Sequence, residues 1–600
     1  MMRTAAALLA IAGLSGCRQE ADPLAWYRLA TAATISPLRA HPGDLVWRWT
    51  APDGRTIVAR IALPRPERTG DTVTVIPPPA GADARPVFEA AVATARARHA
   101  ARIRIPPGTY RFLTTEPERH AHWLIQGLND VAIEGTGATL VFTSNADGVA
   151  IRASRRVVLS GLTIDYALRT ASLGRMVSQG GRPVIQLDQP PGPTDGIGHI
   201  TEFDRTSGRA VPNGMRVYMP KATDVARTAA GAYRSARFEP TMIGRSFLVY
   251  HHYYGGVALK LQDDARSGAK QDEDIVIRNV TVRRSPGMGI VVYGVRRGVA
   301  IIDSRILPAP GEYASSEYDA IHVLQVGGDL AIVGNTIDRA GDDNINVGSP
   351  VTPIAAAGEQ GRKLALGRYS RFIRPGDTLA AFDGHFRMLG LSRATDTPQP
   401  LGGLDHAVRI DRPFPGAVPG AFIRDAALSN GRVIIAGNTI RNGGDTLVQV
   451  GNVLVRNNRF ERTGVRILAS LGTFQEGSGG FNVTIAGNSF SGGRVRFVSG
   501  FPHAAITAYG LDAGDRISAM PVNRFLAISG NRIVAAPLGC ISISSTSQAT
   551  ITGNACIARR QDDPASFDIQ VINADQVTIR HNSIARDQGL RLSNVSGLMM

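Results

Sequence analysis

A short phrase recurs through this chain and limits what it can fold into. It reads as a β-branched strand, then Gly-Asn or Asn-Asn, then another apolar pair. The copies IVGNTI, IIAGNTI, LVRNNRF, TIAGNSF, AISGNRI, TITGNACI and TIRHNSI place asparagines at Asn335, Asn438, Asn458, Asn488, Asn531, Asn554 and Asn582. VVLSGLTI, IVIRNVTV and AIIDSRI are earlier relatives. After Asn438 the intervals are 20, 30, 43, 23 and 28 residues. Short strands returning at a period in the twenties are the signature of a solenoid, in which each coil buries its apolar face against the next. Asn and Gly suit the corners because they tolerate turn geometry, and stacked asparagines can bond to one another. The expected fold is all-β: a right-handed parallel β-helix.

Two stretches lack the cadence. Residues 170–252 carry RPVIQLDQ, GHITEFD, MRVYMP and RSFLVYHHYY, and residues 351–430 carry RYSRFIRPGDTLAAFD and HAVRIDRPF. Each is read as a small β-barrel-like domain inserted into a turn of the helix, since long insertions in surface turns cost little. The remaining divisions follow. Residues 85–169 hold a capping helix, PVFEAAVATARARHA, and the first coils. Residues 253–350 and 431–600 hold the later coils. Residues 17–84 form an N-terminal segment with two strand-like runs about a turn at PDG.

The start, MMRTAAALLAIAGLSGC, has a cationic residue and an apolar run too short to span a membrane as a helix. Residues 1–16 read as a signal peptide, and LSGC resembles the lipobox of bacterial lipoproteins. That resemblance implies acylation of Cys17 and a lipid anchor, with Gln19 and Glu20 pointing to the outer membrane. Export permits a disulfide between Cys540 and Cys556, the other two cysteines. The formal charge is +16, yet only four of the 66 Lys and Arg residues are lysine, and the arginines are scattered. This reads mainly as composition, with attraction to anionic partners the lesser alternative. No recognition-helix pattern or basic repeat argues for nucleic acid.

The chemistry sits in SSEYDAIHVLQVGGDLAIVGNTIDRAGDDNINV. DAIHV begins at Asp319 and DNINV at Asp343, 24 residues apart. At one coil per 24 residues the two aspartates stack on neighbouring coils, near the roughly 4.8 Å strand spacing. Asp342 lies diagonal to Asp319. Strand parity turns His322, Asn344 and Asn346 outward and puts Asp319 and Asp343 at a bend before their strands. Clustered carboxylates raise the pKa of one member, so that one acid donates a proton while a neighbour activates water. Turn capping and a calcium site are the competing readings, although calcium takes six to eight oxygens. His322, Asn346, Tyr293, Asp445 and Arg466 are candidate substrate contacts on the same face. His251 and His252 are read as structural.

SPGMGIVVYGVRRGVAIIDSRI, YDAIHV and GDDNINV together resemble the family 110 glycoside hydrolases, over roughly residues 85 to 500. Members of that family are parallel β-helices with small β-barrel insertions. They remove terminal α-1,3-linked galactose with inversion. The resemblance implies that Asp319, Asp342 and Asp343 are catalytic, with Asp319 as acid, Asp342 or Asp343 as base, and exchange of roles left open. No cofactor is called for. Asn344 stands where the family usually has alanine, and Gly348 where a histidine often follows. The implied partner is a galactose-containing glycan, with an anionic or sulfated galactan left open. Two further readings stand beside this one: a polygalacturonase-like hydrolase or polysaccharide lyase, and a non-catalytic glycan-binding solenoid.

Overall fold

A computed structural model describes residues 41–600 apart from 68, 117–119, 190–195, 213, 230, 263–271, 404, 417–418, 430, 493–503, 535–538, 558–566 and 585–588. The signal and lipidation readings, including Cys17, lie outside the described residues.

The body is a parallel β-helix. One face is an 11-stranded parallel sheet from Gly108–Phe112 to Ala555–Ile557. The other two faces run beside it and merge where Ile541–Thr552 and Ile569–Arg580 pass through a corner. Inward-facing Ile and Val stack rung on rung: Ile290 pairs with Ile321, Ile321 with Ile345, and Val292 with Val323. All five are fully buried. Each such side chain contributes about 1.5–3 kcal/mol by leaving water, so the core stabilises through repetition.

Alternate corners carry the Gly-Asn phrase. Backbone N and Nδ2 of Asn438 both donate to Oδ1 of Asn458, at 2.9 Å each. The same double bond continues through Asn488, Asn531, Asn554 and Asn582. The helix Arg85–Arg98 closes the N-terminal end. Its Phe88 meets Tyr110, Phe112 and Trp123 edge-on at 5.0–5.1 Å, covering what the first coil would expose.

Three additions stand outside the solenoid. An antiparallel hairpin, Leu45–Thr50 with Thr56–Ile61, packs Trp49, Ile57 and Ile61 on outward Val276, Ala300 and Ile434. An eight-stranded antiparallel sheet lies between Ala171 and Tyr250, with its own core around Met176, Ile185 and Phe247. A seven-stranded one lies between Thr352 and Asp425, around Leu364, Leu379 and Val408. The first leaves after Tyr166 and rejoins at Leu259, two rungs before Ile321; the second leaves after Gly348, on the coil of Asp343, and rejoins at Arg432. Cys540 and Cys556 are joined as a disulfide. No helix among the described residues is long and apolar enough to cross a membrane.

Candidate active site

Coil register brings the acids together. Ile321 pairs with Ile345 and His322 with Asn346, so Asp319 and Asp343 occupy equivalent places two residues before their strands. Asp319, Asp342 and Asp343 each present a carboxylate oxygen, and these oxygens lie within 4.8 Å of one another. The backbone N of Asp343 donates to Asp319 Oδ1 at 3.1 Å, and that of Asp445 to Asp343 Oδ1 at 3.1 Å. Gly444 makes room for this stack: a Cβ there would lie 2.7 Å from Asp343 Oδ1.

The three carboxylates differ in surroundings. Asp319 is buried, and both its oxygens are engaged, Oδ2 by Nδ1 of His322 at 2.6 Å. Burial pushes it up to about 6, against the pull of His322 and with the help of Asp342 and Glu476. Burial opposes charge on His322 too, but the Asp319 carboxylate wins and raises the imidazole above its ordinary value. Asp343 is held well above the carboxylate range by burial and by the neighbouring acids Asp342, Asp319 and Asp445. It keeps partial exposure, and no described residue hydrogen-bonds its Oδ2. Asp342 instead accepts from both Nη atoms of Arg216, at 3.3 and 3.2 Å, and from the Tyr218 hydroxyl at 2.8 Å. Those donors are arranged for an anion.

Sequence reasoning missed Arg216 and Tyr218. They lie on the strand Arg216–Tyr218 of the first insertion, within the run MRVYMP, more than 120 residues from Asp342. His199 backs them, stacked on Tyr250 at 4.0 Å. Tyr254, half-exposed, stacks on Tyr318 at 4.0 Å beside the acids.

Several predicted substrate contacts are sealed supports instead. His322 is 3% exposed, its ring turned to Asp319 and its Nε2 closed off from solvent. Asn346 is 4% exposed; its Nδ2 donates to Glu476 Oε2 at 2.9 Å and its Oδ1 accepts from Gln449. Asp445 and Arg466 pair at 2.5 Å behind Asp343. Parity turned His322 and Asn346 outward, and in the structure both are covered. Asn344 is also buried, its Nδ2 bonded to the Gly444 carbonyl at 2.6 Å and to Thr463. Tyr293 keeps partial exposure, edge-on to His322 at 5.5 Å. His252 bonds Glu317 through its backbone N and Nδ1, at 2.6 and 2.5 Å.

The aspartate oxygens are close enough to share a cation. Arg216 already lies on Asp342 and His322 on Asp319.

Fold and site define the class: a parallel β-helix with three aspartates clustered on neighbouring coils and met by side chains from an inserted sheet. Over 440 residues the chain is 25% identical to alpha-1,3-galactosidase A of Streptomyces avermitilis, spanning 62% of this chain and 68% of that one. No protein-family model matches the sequence. Among solved structures, the catalytic unit of a family 87 alpha-1,3-glucanase from Streptomyces thermodiastaticus superposes with a TM-score of 0.40 at 11% identity, over 90% of this chain and 70% of that one. A family 28 exopolygalacturonase from Yersinia enterocolitica gives 0.39 at 12%, over 90% and 80%. These superpositions are loose, and the solenoid assignment rests on the ladders above.

Proposed function

We propose that this protein is an exo-acting glycoside hydrolase that removes terminal α-1,3-linked galactose. The observation that carries the reading is one cluster of three carboxylates in three environments. A hydrolase needs a proton donor and an ionised partner beside the glycosidic bond. Asp343, pushed up and with an open oxygen, is the better donor; this moves the acid role from Asp319, whose oxygens are both engaged. Asp342, held by Arg216 and Tyr218, is the base. His322 orients Asp319, whose charge helps keep the proton on Asp343. The name of the Streptomyces avermitilis relative supports the sugar and the linkage.

Inversion rests on the family resemblance. The nearest oxygens, within 4.8 Å, are closer than the about 6.5–9.5 Å between carboxyl groups that leaves room for an attacking water. The test is incubation of the mature protein with α-1,3-, α-1,4- and α-1,6-linked galactosides, sulfated galactans and pectins, followed by NMR. Release of β-galactose from the α-1,3 linkage supports the whole reading. Release of α-galactose retains the hydrolase and removes inversion. An unsaturated uronate makes it a lyase, and no sugar release from folded protein ends the proposal. Lipid attachment at Cys17, with outer-membrane anchoring, belongs to the same proposal. Mass spectrometry of the N-terminal peptide tests it, with an unmodified cysteine as the contrary result.

A further inference from the structure

Glu476 is a fourth carboxylate beside the cluster, and the chain goes to some length to hold it there. The segment 471–480 turns back over the outward face of the solenoid. Gly477–Ser478 pairs antiparallel with Ala469–Ser470. Val351 N donates to the Gln475 carbonyl at 3.0 Å, and Thr473 N to Asp515 Oδ1 at 3.0 Å. Two glycines allow the approach. A Cβ at Gly348 would lie 2.5 Å from the Glu476 carbonyl oxygen, and one at Gly477 would lie 2.2 Å from the Cβ of Gln449. Gly348 is the position where a histidine often follows in the family the sequence resembles, so here a side chain is exchanged for the backbone of another loop.

The Glu476 side chain is fixed at one oxygen only. Oε2 accepts from Asn346 Nδ2 at 2.9 Å and, at 3.5 Å, from Gln449 Nε2. No described residue bonds Oε1, and the residue is partly exposed. Tyr293, on the coil face, and Tyr369, on the second insertion, are pushed up first by burial and then by the charge of Glu476. Asp319 and His322 feel the same charge. Asn346 and Gln449 therefore form a cradle that leaves one carboxylate oxygen without a partner among the described residues.

An ionised carboxylate only accepts hydrogen bonds, so it pairs with hydroxyls and finds no donor in a carboxylate or sulfate. We propose that Glu476 is a specificity-determining residue that accepts from one or more hydroxyls of the bound glycosyl unit and restricts that unit to neutral sugars. This rests on the hydrolase reading and narrows it, closing the anionic alternative.

The test compares wild type with Glu476→Gln on an α-1,3-galactoside, on its 2-, 4- and 6-deoxy analogues, and on the galacturonide and 6-sulfate counterparts. Glutamine keeps the shape and replaces an acceptor with a donor. The expected loss in kcat/KM on the parent is about 10–100-fold, the scale of a hydrogen bond to a charged group. That loss should vanish on the deoxy analogue lacking the contacted hydroxyl, and the gap should narrow or reverse on the anionic sugars. A change below about 3-fold, or an equal loss on every analogue, overturns the inference while leaving the hydrolase reading intact; a direct contact of this strength leaves a larger and selective trace. Gly348→Ala displaces the Glu476 backbone by a second route and should give the same deoxy fingerprint if the Gln variant folds poorly. If wild type cleaves no galactoside, NMR titration with galactose, glucose and mannose separates the two ideas. A neutral sugar that binds wild type and not Glu476→Gln keeps this inference without the hydrolase; no binding to wild type, or equal binding to both, ends it.

Discussion

Two polar stacks climb this solenoid, and their difference separates scaffold from site. In the asparagine stack each side chain gives and receives. Asn458 Oδ1 takes two bonds from Asn438, while its Nδ2 donates to the Ile435 carbonyl at 2.9 Å and to Asn488 at 3.0 Å. In the aspartate stack the same kind of backbone rung exists, Asp343 N to Asp319 and Asp445 N to Asp343. An ionised carboxylate has no donor to return. The surplus acceptors must be met from outside the stack, by His322 on Asp319 and by Arg216 and Tyr218 on Asp342. Asp343 is left with an oxygen that no described residue meets. A stack that could have been satisfied with asparagine is kept unsatisfied at the carboxylate cluster.

The strongest way to break the comparison is to make the two stacks alike. Asp343→Asn keeps the acceptor for Asp445 and removes the titrating proton. Activity on the α-1,3-galactoside should fall by about 10³-fold, within the range expected for losing a general acid. Thermal unfolding should be unchanged or raised, because one acid leaves a group of four. Activity within 10-fold of wild type would remove Asp343 from the role of donor. Next, Arg216→Ala withdraws the guanidinium from Asp342 and from the neighbouring Gly341 carbonyl. About 100-fold loss in kcat/KM is expected, the scale of one charged contact to a reacting group, and no loss would show that the insertion only covers the site.

The converse change carries the aspartate chemistry into the scaffold. Asn458→Asp turns a donor into an acceptor facing the Ile435 carbonyl and Asn488 Oδ1. Urea unfolding at pH 7 should show a loss of about 1–3 kcal/mol, the cost of leaving buried polar groups unmet. The buried acid holds its proton better folded than unfolded, so the loss should shrink as the pH falls towards 4. A loss independent of pH would point to packing rather than charge.

The sequence was most legible where geometry is periodic. The Gly-Asn corners and the 24-residue step from Asp319 to Asp343 both follow from one coil length. Asp342 came with Asp343 as a chain neighbour. Legibility stopped where contacts cross between elements of unrelated length. Arg216 and Tyr218 reach Asp342 from an inserted sheet, and Glu476 arrives on a loop whose only local sign is a pair of glycines far apart in sequence. Parity assigned His322 and Asn346 to the outer face but carried no information on what lies over it. Both are therefore supports, holding Asp319 and Glu476, rather than sugar contacts.

The smallest expected effect sharpens the comparison from inside the aspartate stack. Asp319 is raised by burial to about 6, and His322 is raised as well by its carboxylate partner. Both groups hold protons more tightly in the folded state than in the unfolded chain. Stability they contribute is thus present at low pH and lost as the pH climbs through their folded values. For Asp319 that window runs from about 4, the unfolded carboxyl value, to about 6. The wild-type Tm should fall by about 2 °C between pH 5 and 7, small because the unfolding entropy of so long a chain is large. Asp319→Asn removes the carboxyl and the force that raises His322, so its Tm should fall less than wild type across that interval, with burial still raising Asp343. A slope equal to wild type would place the titration elsewhere and make Asp319 as passive as any rung of the asparagine stack.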